Sequence, residues 1–266
     1  MTSTPSLAAS VAGLVRSRDL LWTWTLRTLR ARYQQSILGW LWAVVQPVAQ
    51  VLIFALIFTK VVPVDTGGVP YVLFAYVALT PWAFLSTALT DMSTAIVDNM
   101  LLVTKIYFPR EVLPLAAMLA RFMDFVVASA LVVLLVIYFR VPVRPSALLL
   151  LPVVVAVQAA LIVGLGLAAA AANTFLRDVK PLLALVVQLW FYLSPIIYPL
   201  DKVPAAWRTL YSLNPAVGVI ETYRAIWFGT PLPVASLAIA AVVAAASLVA
   251  GYALFKRSEL VFSDIA

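Results

Sequence analysis

The stretch SALLLLPVVVAVQAALIVGLGLAAAAA, residues 146–172, contains no charged side chain. About 20 consecutive apolar residues in a helix are enough to cross the hydrocarbon core of a bilayer. The stretch therefore predicts a membrane-spanning helix. Five further segments share its character, and the six predicted spans are 38–60, 70–91, 112–139, 146–172, 182–199 and 233–255.

The composition of the whole chain agrees with this prediction. Hydrophobic residues make up 64% of the 266 residues and charged residues 11%, whereas soluble domains average about 45–50% and about 25%. No soluble fold hides that much apolar surface. We therefore expect an all-α polytopic membrane protein with a single transmembrane domain over 1–266. It comprises an N-terminal region 1–37, the six spans over 38–255 and a tail 256–266.

The distribution of basic residues predicts the orientation of the chain. An even number of spans places both termini on one side, and Lys and Arg collect on the cytoplasmic side. Eleven of the 18 Lys and Arg residues fall on the side of the termini, six fall on the other side, and Arg121 lies inside a span. We therefore expect both termini to be cytoplasmic. The formal net charge of +7 then needs no nucleic acid as a partner.

The segment before the first span predicts an amphipathic helix. A helix over Leu20–Gln35 would place Trp22, Leu26, Leu29 and Tyr33 on one stripe. The polar residues lie opposite this stripe or beside it, where long stems can snorkel, and they are Arg27, Gln34, Arg30 and Arg32. We expect this helix to lie along the inner membrane surface.

Two connections between the spans are too long to be plain loops. The cytoplasmic connection Asp91–Glu111 mixes helix-forming residues with charges and reaches Pro109, which predicts a short helix followed by a break. The outer segment Asp201–Gly229 is interrupted by charges and, in its middle, by Asn214-Pro215. It predicts a re-entrant pair, that is, two short helices that dip into the outer interface and return.

Small residues and one pair of charges mark the interiors of the predicted spans. Small residues cluster in Gly164–Ala172 and Ala238–Ala246, and their ordinary use is close helix packing. Arg121 and Asp124 are spaced i to i+3 near the inner end of the third span. This spacing predicts an intramembrane ion pair that fixes the end of the helix.

The residue inventory excludes several kinds of chemistry. The chain has no His and no Cys, and its acids are scattered singly, so neither a metal site nor a catalytic constellation is visible. A P-loop needs Gly-x-x-x-x-Gly-Lys-Ser/Thr, but no Lys follows a Gly anywhere in the chain. We therefore expect no enzyme activity, no bound cofactor and no ATP hydrolysis. Energy for any transport would have to come from a partner.

Aromatic residues gather in the predicted outer half of the chain. They include Trp190, Tyr192, Tyr198, Trp207, Tyr211 and Tyr223. An interfacial belt explains such enrichment in any membrane protein. Alternatively, some of these rings line a pathway, where they offer sugars apolar contact and uncharged hydrogen-bonding groups.

Four stretches of the sequence carry a resemblance to a known family. They are RARYQQSILGWLWAVVQPV at 30–48, LLVTKIYFPREVLP at 101–114, NTFLRDVKPLL at 173–183, and LSPIIYPLDKVP at 193–204 followed by LNP at 213–215. With these motifs the chain resembles, over nearly its whole length, the membrane subunits of ABC-2-type exporters of cell-surface polysaccharides. This group comprises the Wzm-type O-antigen permeases and their teichoic-acid and capsule relatives.

The resemblance implies the permease half of an ATP-driven exporter of a lipid-linked polysaccharide such as O-antigen, in lipopolysaccharide biosynthesis. It implies a homodimer in the bacterial inner membrane, with each copy docked on a separate ATPase subunit that holds ATP and Mg. Two alternatives stay open from the residues: an ion-gradient-driven flippase of lipid-linked sugars, and a membrane-embedded glycosyl- or phosphotransferase. The neutral spans weigh against the first and the scattered acids against the second.

The resemblance also implies roles for particular segments. A coupling helix would lie at Asp98–Phe108, a gate at Val203–Phe228, and either a second cytoplasmic contact or a helix-end lock at Arg177–Lys180. The implied ATPase contacts are Asp98, Asn99, Leu102, Lys105, Tyr107 and Phe108. The implied attraction of a lipid-linked diphosphate, or of anionic lipid, falls to Arg27, Arg30 and Arg32. The six outer aromatics would line the channel or its gate.

Overall fold

The computed structural model describes residues 13, 16–34, 36–106, 108–259 and 262. Every regular element in this part of the chain is helical. The α-helices are α1 Arg18–Tyr33, α2 Trp42–Leu56, α3 Tyr71–Thr94, α4 Met100–Lys105, α5 Val112–Tyr138, α6 Pro145–Leu148, α7 Leu151–Phe175, α8 Val179–Tyr192, α9 Ala205–Ser212, α10 Pro215–Phe228 and α11 Val234–Glu259. Short 3-10 turns lie at Gly39–Leu41, Val97–Asn99 and Leu200–Lys202, and a π-helical turn lies at Ile57–Val61.

Five helical segments in the described part of the chain are long and apolar enough to cross a membrane. They are Gly39–Val61, Tyr71–Thr94, Val112–Tyr138, Pro145–Phe175 and Val234–Glu259. Each coincides with one of the predicted spans to within a few residues. The sequence prediction of these five helices is therefore confirmed.

The sixth predicted span, 182–199, is not one continuous helix in the structure, and a sixth crossing of the membrane stays a prediction. Helix α8 has 14 residues, which at 1.5 Å per residue gives about 21 Å against a hydrocarbon core of about 30 Å. The helix ends at Tyr192, and turns follow. Pro195 contributes to this break because proline has no N–H and disfavours a helical residue before it.

Buried Arg224 of α10 stabilises the turn after α8. Its guanidinium Nη1 donates to the Pro195 carbonyl at 2.5 Å, and Nη2 donates to the Ile196 carbonyl at 2.8 Å. Nη1 also lies 2.8 Å from Glu221 Oε1, and the guanidinium stacks on the Phe74 ring at 3.6 Å from its centroid. A buried charge is tolerated where it is paired and hydrogen-bonded. The turn and α10 therefore hold each other in place.

Helix α3 is the centre of the fold. In its most apolar stretch 78% of the residues are buried, against 17–28% in the other four long apolar segments. It packs against α2, α5, α7, α8 and α10. The long helices around α3 consequently keep broad apolar faces that are exposed within the described part of the chain. These faces are free for lipid or for another subunit.

The two short helices α9 and α10 separate where the sequence predicts a break. Asn214 Oδ1 accepts the Ala216 amide at 3.0 Å, and Pro215 takes the first position of α10. Both features are typical of a helix start. Helix α10 ends at Phe228 and is followed by Gly229, whose φ of 65° lies in the left-handed region that glycine adopts readily.

Helices α7 and α11 pack with their backbones in close contact. A Cβ on Gly251 would overlap the carbonyl of Gly164, and a Cβ on Gly164 would overlap the backbone at Ser247. Ala240 and Ala244 of α11 are buried as well. The prediction that the small-residue clusters serve helix packing is confirmed.

Substitution of Gly251 by Val should destabilise the protein by about 2–3 kcal/mol, because the added atoms force the two backbones apart. The matched control is Ala250→Val, since Ala250 is the exposed neighbour in the same helix. Thermal unfolding of both purified variants in one detergent measures the effect. Equal unfolding temperatures for the two variants would contradict the close packing of α7 on α11.

Candidate functional site

Four charged side chains from three helices form one cluster, here called the charge cluster: Arg32 of α1, Asp91 of α3, and Arg121 and Asp124 of α5. Arg32 Nη2 lies 2.7 Å from Asp91 Oδ2, and Arg32 Nη1 lies 2.7 Å from Asp124 Oδ2. Arg121 Nε lies 2.6 Å from Asp91 Oδ2, and Arg121 Nη1 lies 3.4 Å from Asp124 Oδ2. Each arginine thus contacts both carboxylates, and the formal charges cancel.

The predicted pair of Arg121 and Asp124 is therefore only part of a larger arrangement. Its contact is the longest of the four ion pairs. The side chains are between 15% and 27% exposed, so they are partly desolvated, and their attraction is less screened than at an open surface. The charge cluster joins α1 to α3 and α5.

Helix α1 turns only part of the predicted stripe toward the protein. Leu29 of the stripe is buried, Tyr33 is half-buried and Trp22 is exposed, whereas buried Thr25 lies outside the stripe. Arg32, which we expected beside the stripe with its head at the membrane surface, instead points to Asp91 and Asp124. The difference arises because pairing with two carboxylates satisfies the guanidinium within the protein.

Tyr33 extends the charge cluster by one neutral group. Its hydroxyl donates to Asp124 Oδ1 at 2.7 Å. Burial, followed by this hydrogen bond, raises the pKa of Tyr33 to about 12. Because the raised pKa favours the protonated phenol in the folded state, the stabilising effect is complete below pH 10 and is lost as the pH rises toward 12.

A cavity of about 760 Å³ opens beside the charge cluster. It is bounded by α1, α2, α3 and α5, and its charged lining residues are Arg32, Arg121 and Asp124. The neutral polar and aromatic lining residues are Tyr33, Ser36, Trp42, Gln46, Gln50, Thr80, Trp82, Phe84, Ser86, Thr87 and Phe125. The volume lies in the range of small-molecule binding sites, which also combine apolar walls with a few polar groups.

Two more of the predicted basic residues lie on the outside of α1. Arg27 and Arg30 are exposed, and the Arg27 guanidinium stacks on the Trp24 ring at 4.3 Å from its centroid. Both line a shallow depression of about 410 Å³ that does not include Arg32. The structure thus separates Arg32 from the two arginines with which the sequence grouped it.

The predicted coupling segment is a 3-10 turn over Val97–Asn99 followed by α4. Asp98 and Lys105 are exposed, whereas Asn99, Leu102 and Phe108 are half-buried. Tyr107 lies outside the described residues. The most prominent apolar side chain is one that the sequence prediction missed, namely Leu101, which is 75% exposed.

The six aromatics predicted to line the channel or its gate divide into three groups: two exposed residues, three residues with hydrogen-bonding contacts nearby, and buried Tyr223. Tyr192 and Trp207 are exposed. The hydroxyls of Tyr198 and Tyr211 contact each other, and Trp190 Nε1 donates to Asn214 Oδ1 at 2.8 Å. These contacts fasten the turn after α8 to α9 and α10.

Tyr223 is a correction to the predicted channel lining. It is buried, its hydroxyl donates to Gln158 Oε1 at 3.0 Å, and its ring packs edge-on against Phe125. It is a core residue because α10 turns this face toward α3 and α7.

The sequence prediction paired Arg121 with Asp124 but missed that Asp91 and Arg32 pair with them. Asp91 fell at the predicted end of the second span, while Arg121 and Asp124 lay near the predicted inner end of the third. Two predicted spans with opposite charges at the same depth are a signal that could have suggested the pairing. Within the described residues, the acids form no group of three that could hold a metal ion.

Comparison with known proteins identifies the class. Residues 19–228 match the ABC-2 type transporter family, and the chain belongs to this family. It is 34% identical over 237 residues to the O-antigen export system permease protein RfbA of Myxococcus xanthus, covering 87% of this chain and 90% of the relative.

Two further relatives also match most of the length of the chain. An O-antigen export system permease protein RfbA of Klebsiella pneumoniae is 26% identical, with 93% of this chain and 95% of the relative covered. The polysialic acid transport protein KpsM of Escherichia coli is 25% identical, with 88% and 91% covered.

Replacement of Asp91 by Asn should lower the free energy of unfolding by about 2–3 kcal/mol. It leaves Arg32 and Arg121 to share one carboxylate, and charge-assisted hydrogen bonds contribute about 1.5–3 kcal/mol each. The control is Asp65→Asn, because exposed Asp65 accepts only the Gly67 amide and Asn keeps that acceptor oxygen. Denaturation of both variants in detergent measures the difference, and identical stabilities would show that the charge cluster is not structural.

Proposed function

We propose that this chain is the membrane-spanning permease subunit of an ATP-driven exporter that moves a lipid-linked polysaccharide across the bacterial inner membrane. The observation that carries the proposal is the similarity to O-antigen export permeases over most of both chains. The second line of support is the cavity beside the charge cluster, whose lining suits an uncharged, hydroxyl-rich ligand.

The proposed assembly is a homodimer with two ATPase subunits. In it, α8 and the turns over 193–199 together complete a sixth crossing, α9 and α10 form the outer re-entrant gate, and both termini are cytoplasmic. The apolar faces of α2 and α8 support this arrangement, because Leu52, Leu56, Leu185 and Leu189 are exposed on the single chain. A second copy would cover such faces and enclose a pathway between the two subunits.

The ATPase docks, in this proposal, on the coupling segment formed by the turn over 97–99 and α4. Exposed charge from Asp98 and Lys105 surrounds the apolar side chains of Leu101 and Ile106, which are also exposed. An apolar centre with a polar rim is the usual anatomy of a protein interface. ATP and Mg would then belong to the partner, consistent with the lack of a P-loop sequence in this chain.

Reconstitution with a candidate ATPase subunit from the same genome tests the function. We expect a stable complex whose ATP hydrolysis drives lipid-linked polysaccharide into the lumen of inverted vesicles. Leu101→Ala should weaken the complex about tenfold, which corresponds to about 1.4 kcal/mol. Leu149→Ala is the control, because Leu149 is 78% exposed but lies beyond the outer end of α5, remote from the coupling segment.

Failure of the wild-type chain to form this complex would contradict the proposal. Transport that persists without ATP and stops when ionophores collapse the ion gradients would support the ion-driven flippase instead. Asp124, which lines the cavity, and Asp91, which belongs to the adjacent charge cluster, favour that alternative most, but both already pair with two arginines.

The substrate, we further propose, enters past the cavity. The charges of the charge cluster cancel, and the amides of Gln46 and Gln50 offer hydrogen bonds without a net charge. The indoles of Trp42 and Trp82 offer flat apolar surface to sugar rings. Arg27 and Arg30, which are exposed on α1, are the residues we propose for the lipid-linked diphosphate.

Replacement of Trp42 by Leu should lower the rate of polysaccharide transport about tenfold, which corresponds to about 1.4 kcal/mol of lost stacking. ATP hydrolysis without substrate should not change. Trp40→Leu is the matched control, since Trp40 is also exposed but is absent from the cavity wall. An equal loss of transport in both variants would remove the cavity from the substrate pathway.

A further inference from the structure

A second group of charged side chains ties the last helix to the segment that follows the coupling segment. Lys256 Nζ of α11 lies 2.8 Å from Glu111 Oε2 and 2.8 Å from Glu259 Oε2. The Arg110 amide donates to Glu259 Oε1 at 3.2 Å, and the Arg110 guanidinium donates to the Glu259 carbonyl oxygen. We call this group the α11 anchor.

Glu111 is the most buried member of the α11 anchor, at 1% exposure. Taking a carboxylate out of water costs several kcal/mol unless the group is well paired. Among the described residues, Lys256 is the side chain that pairs with it. The contact is therefore not an incidental surface ion pair, because separating the two groups would leave a buried charge without a partner.

The position of the α11 anchor matters because the described residues between α4 and α5, 106 and 108–111, form no helix. Helix α4 ends at Lys105 and α5 begins at Val112, with Pro109 between them. A movement applied to α4 could be absorbed by bending of this connection, since irregular backbone is softer than a helix. The anchor limits such bending at the end of the connection next to α5, because it fixes Arg110 and Glu111 to the end of a 26-residue helix.

We infer that Glu111, Lys256 and Glu259 are positioning residues that transmit the movement of the docked ATPase from the coupling segment to α11. Helix α11 then carries the movement along α7 through the close contact at Gly164 and Gly251. Packed helices move as rigid bodies over such contacts. This inference rests on the proposed function, since it assumes that an ATPase subunit docks on α4.

The test compares Lys256→Met with Arg257→Met in the reconstituted complex. Arg257 is the exposed neighbour and lies outside the anchor. We expect Lys256→Met to assemble with the ATPase and to hydrolyse ATP within about twofold of wild type. The polysaccharide moved per ATP should fall about tenfold or more, because the buried contact is broken. Arg257→Met should keep the wild-type ratio, and Lys256→Arg should restore most of it, because it retains the charge.

A second variant separates transmission from folding. Glu259→Gln leaves the pair of Lys256 and Glu111 intact and keeps an acceptor oxygen for the Arg110 amide, but it removes the ion pair of Lys256 with Glu259. A smaller loss of transport per ATP is therefore expected. A wild-type ratio in Lys256→Met would overturn the inference. Loss of assembly with the ATPase in both Lys256→Met and Glu259→Gln would overturn it too, because the contact would then be a folding requirement. A wild-type complex that does not form or transport would contradict the proposed function itself.

Discussion

The charge cluster is the constraint on which the arrangement of this protein depends. Arg32, Asp91, Arg121 and Asp124 come from three helices and pair in a closed ring of alternating sign. Removing one member leaves two like charges to share one opposite charge in a partly buried site, which is costlier than removing an opposite pair. Helix α1 therefore stays against α3 and α5 at the charge cluster. Tyr33 and the mouth of the cavity take their positions from this attachment.

A cavity whose charged lining residues are already paired with one another and with Asp91 fits a transporter that receives its energy from outside the membrane. The acids are already paired, so they do not offer the free titratable groups that ion-coupled transporters place near their substrates. Contacts at the two ends of the bundle hold two non-helical segments in place. The α11 anchor fixes the connection next to the coupling segment, and Arg224 fixes the turn after α8. Helix α3 lies between these contacts as the buried centre of the fold.

The sequence predicted what depends on composition along one helix, and missed what depends on contacts between helices. Five long apolar segments were predictable because each is continuous and uncharged enough by itself. The end of α8 was not, because it depends on Pro195 together with the distant guanidinium of Arg224. Arg121 and Asp124 were predicted as a pair from their spacing, but Arg32 is 59 positions from its partner Asp91. The sequence did not separate Tyr223 from the other predicted lining aromatics, because its burial depends on contacts with other helices, such as its hydrogen bond to Gln158.

A double-mutant cycle on Arg32 and Asp124 tests whether the charge cluster holds α1 against α3 and α5. Arg32→Gln, Asp124→Asn and the double variant are compared by the free energy of unfolding in detergent. The double variant leaves the balanced pair of Arg121 and Asp91, at 2.6 Å, in place. If the charge cluster holds α1, the free energy of unfolding of the double variant falls by about 2 kcal/mol less than the sum of the two single decreases. Strictly additive losses would contradict it, because they would show that α1 is held by other contacts.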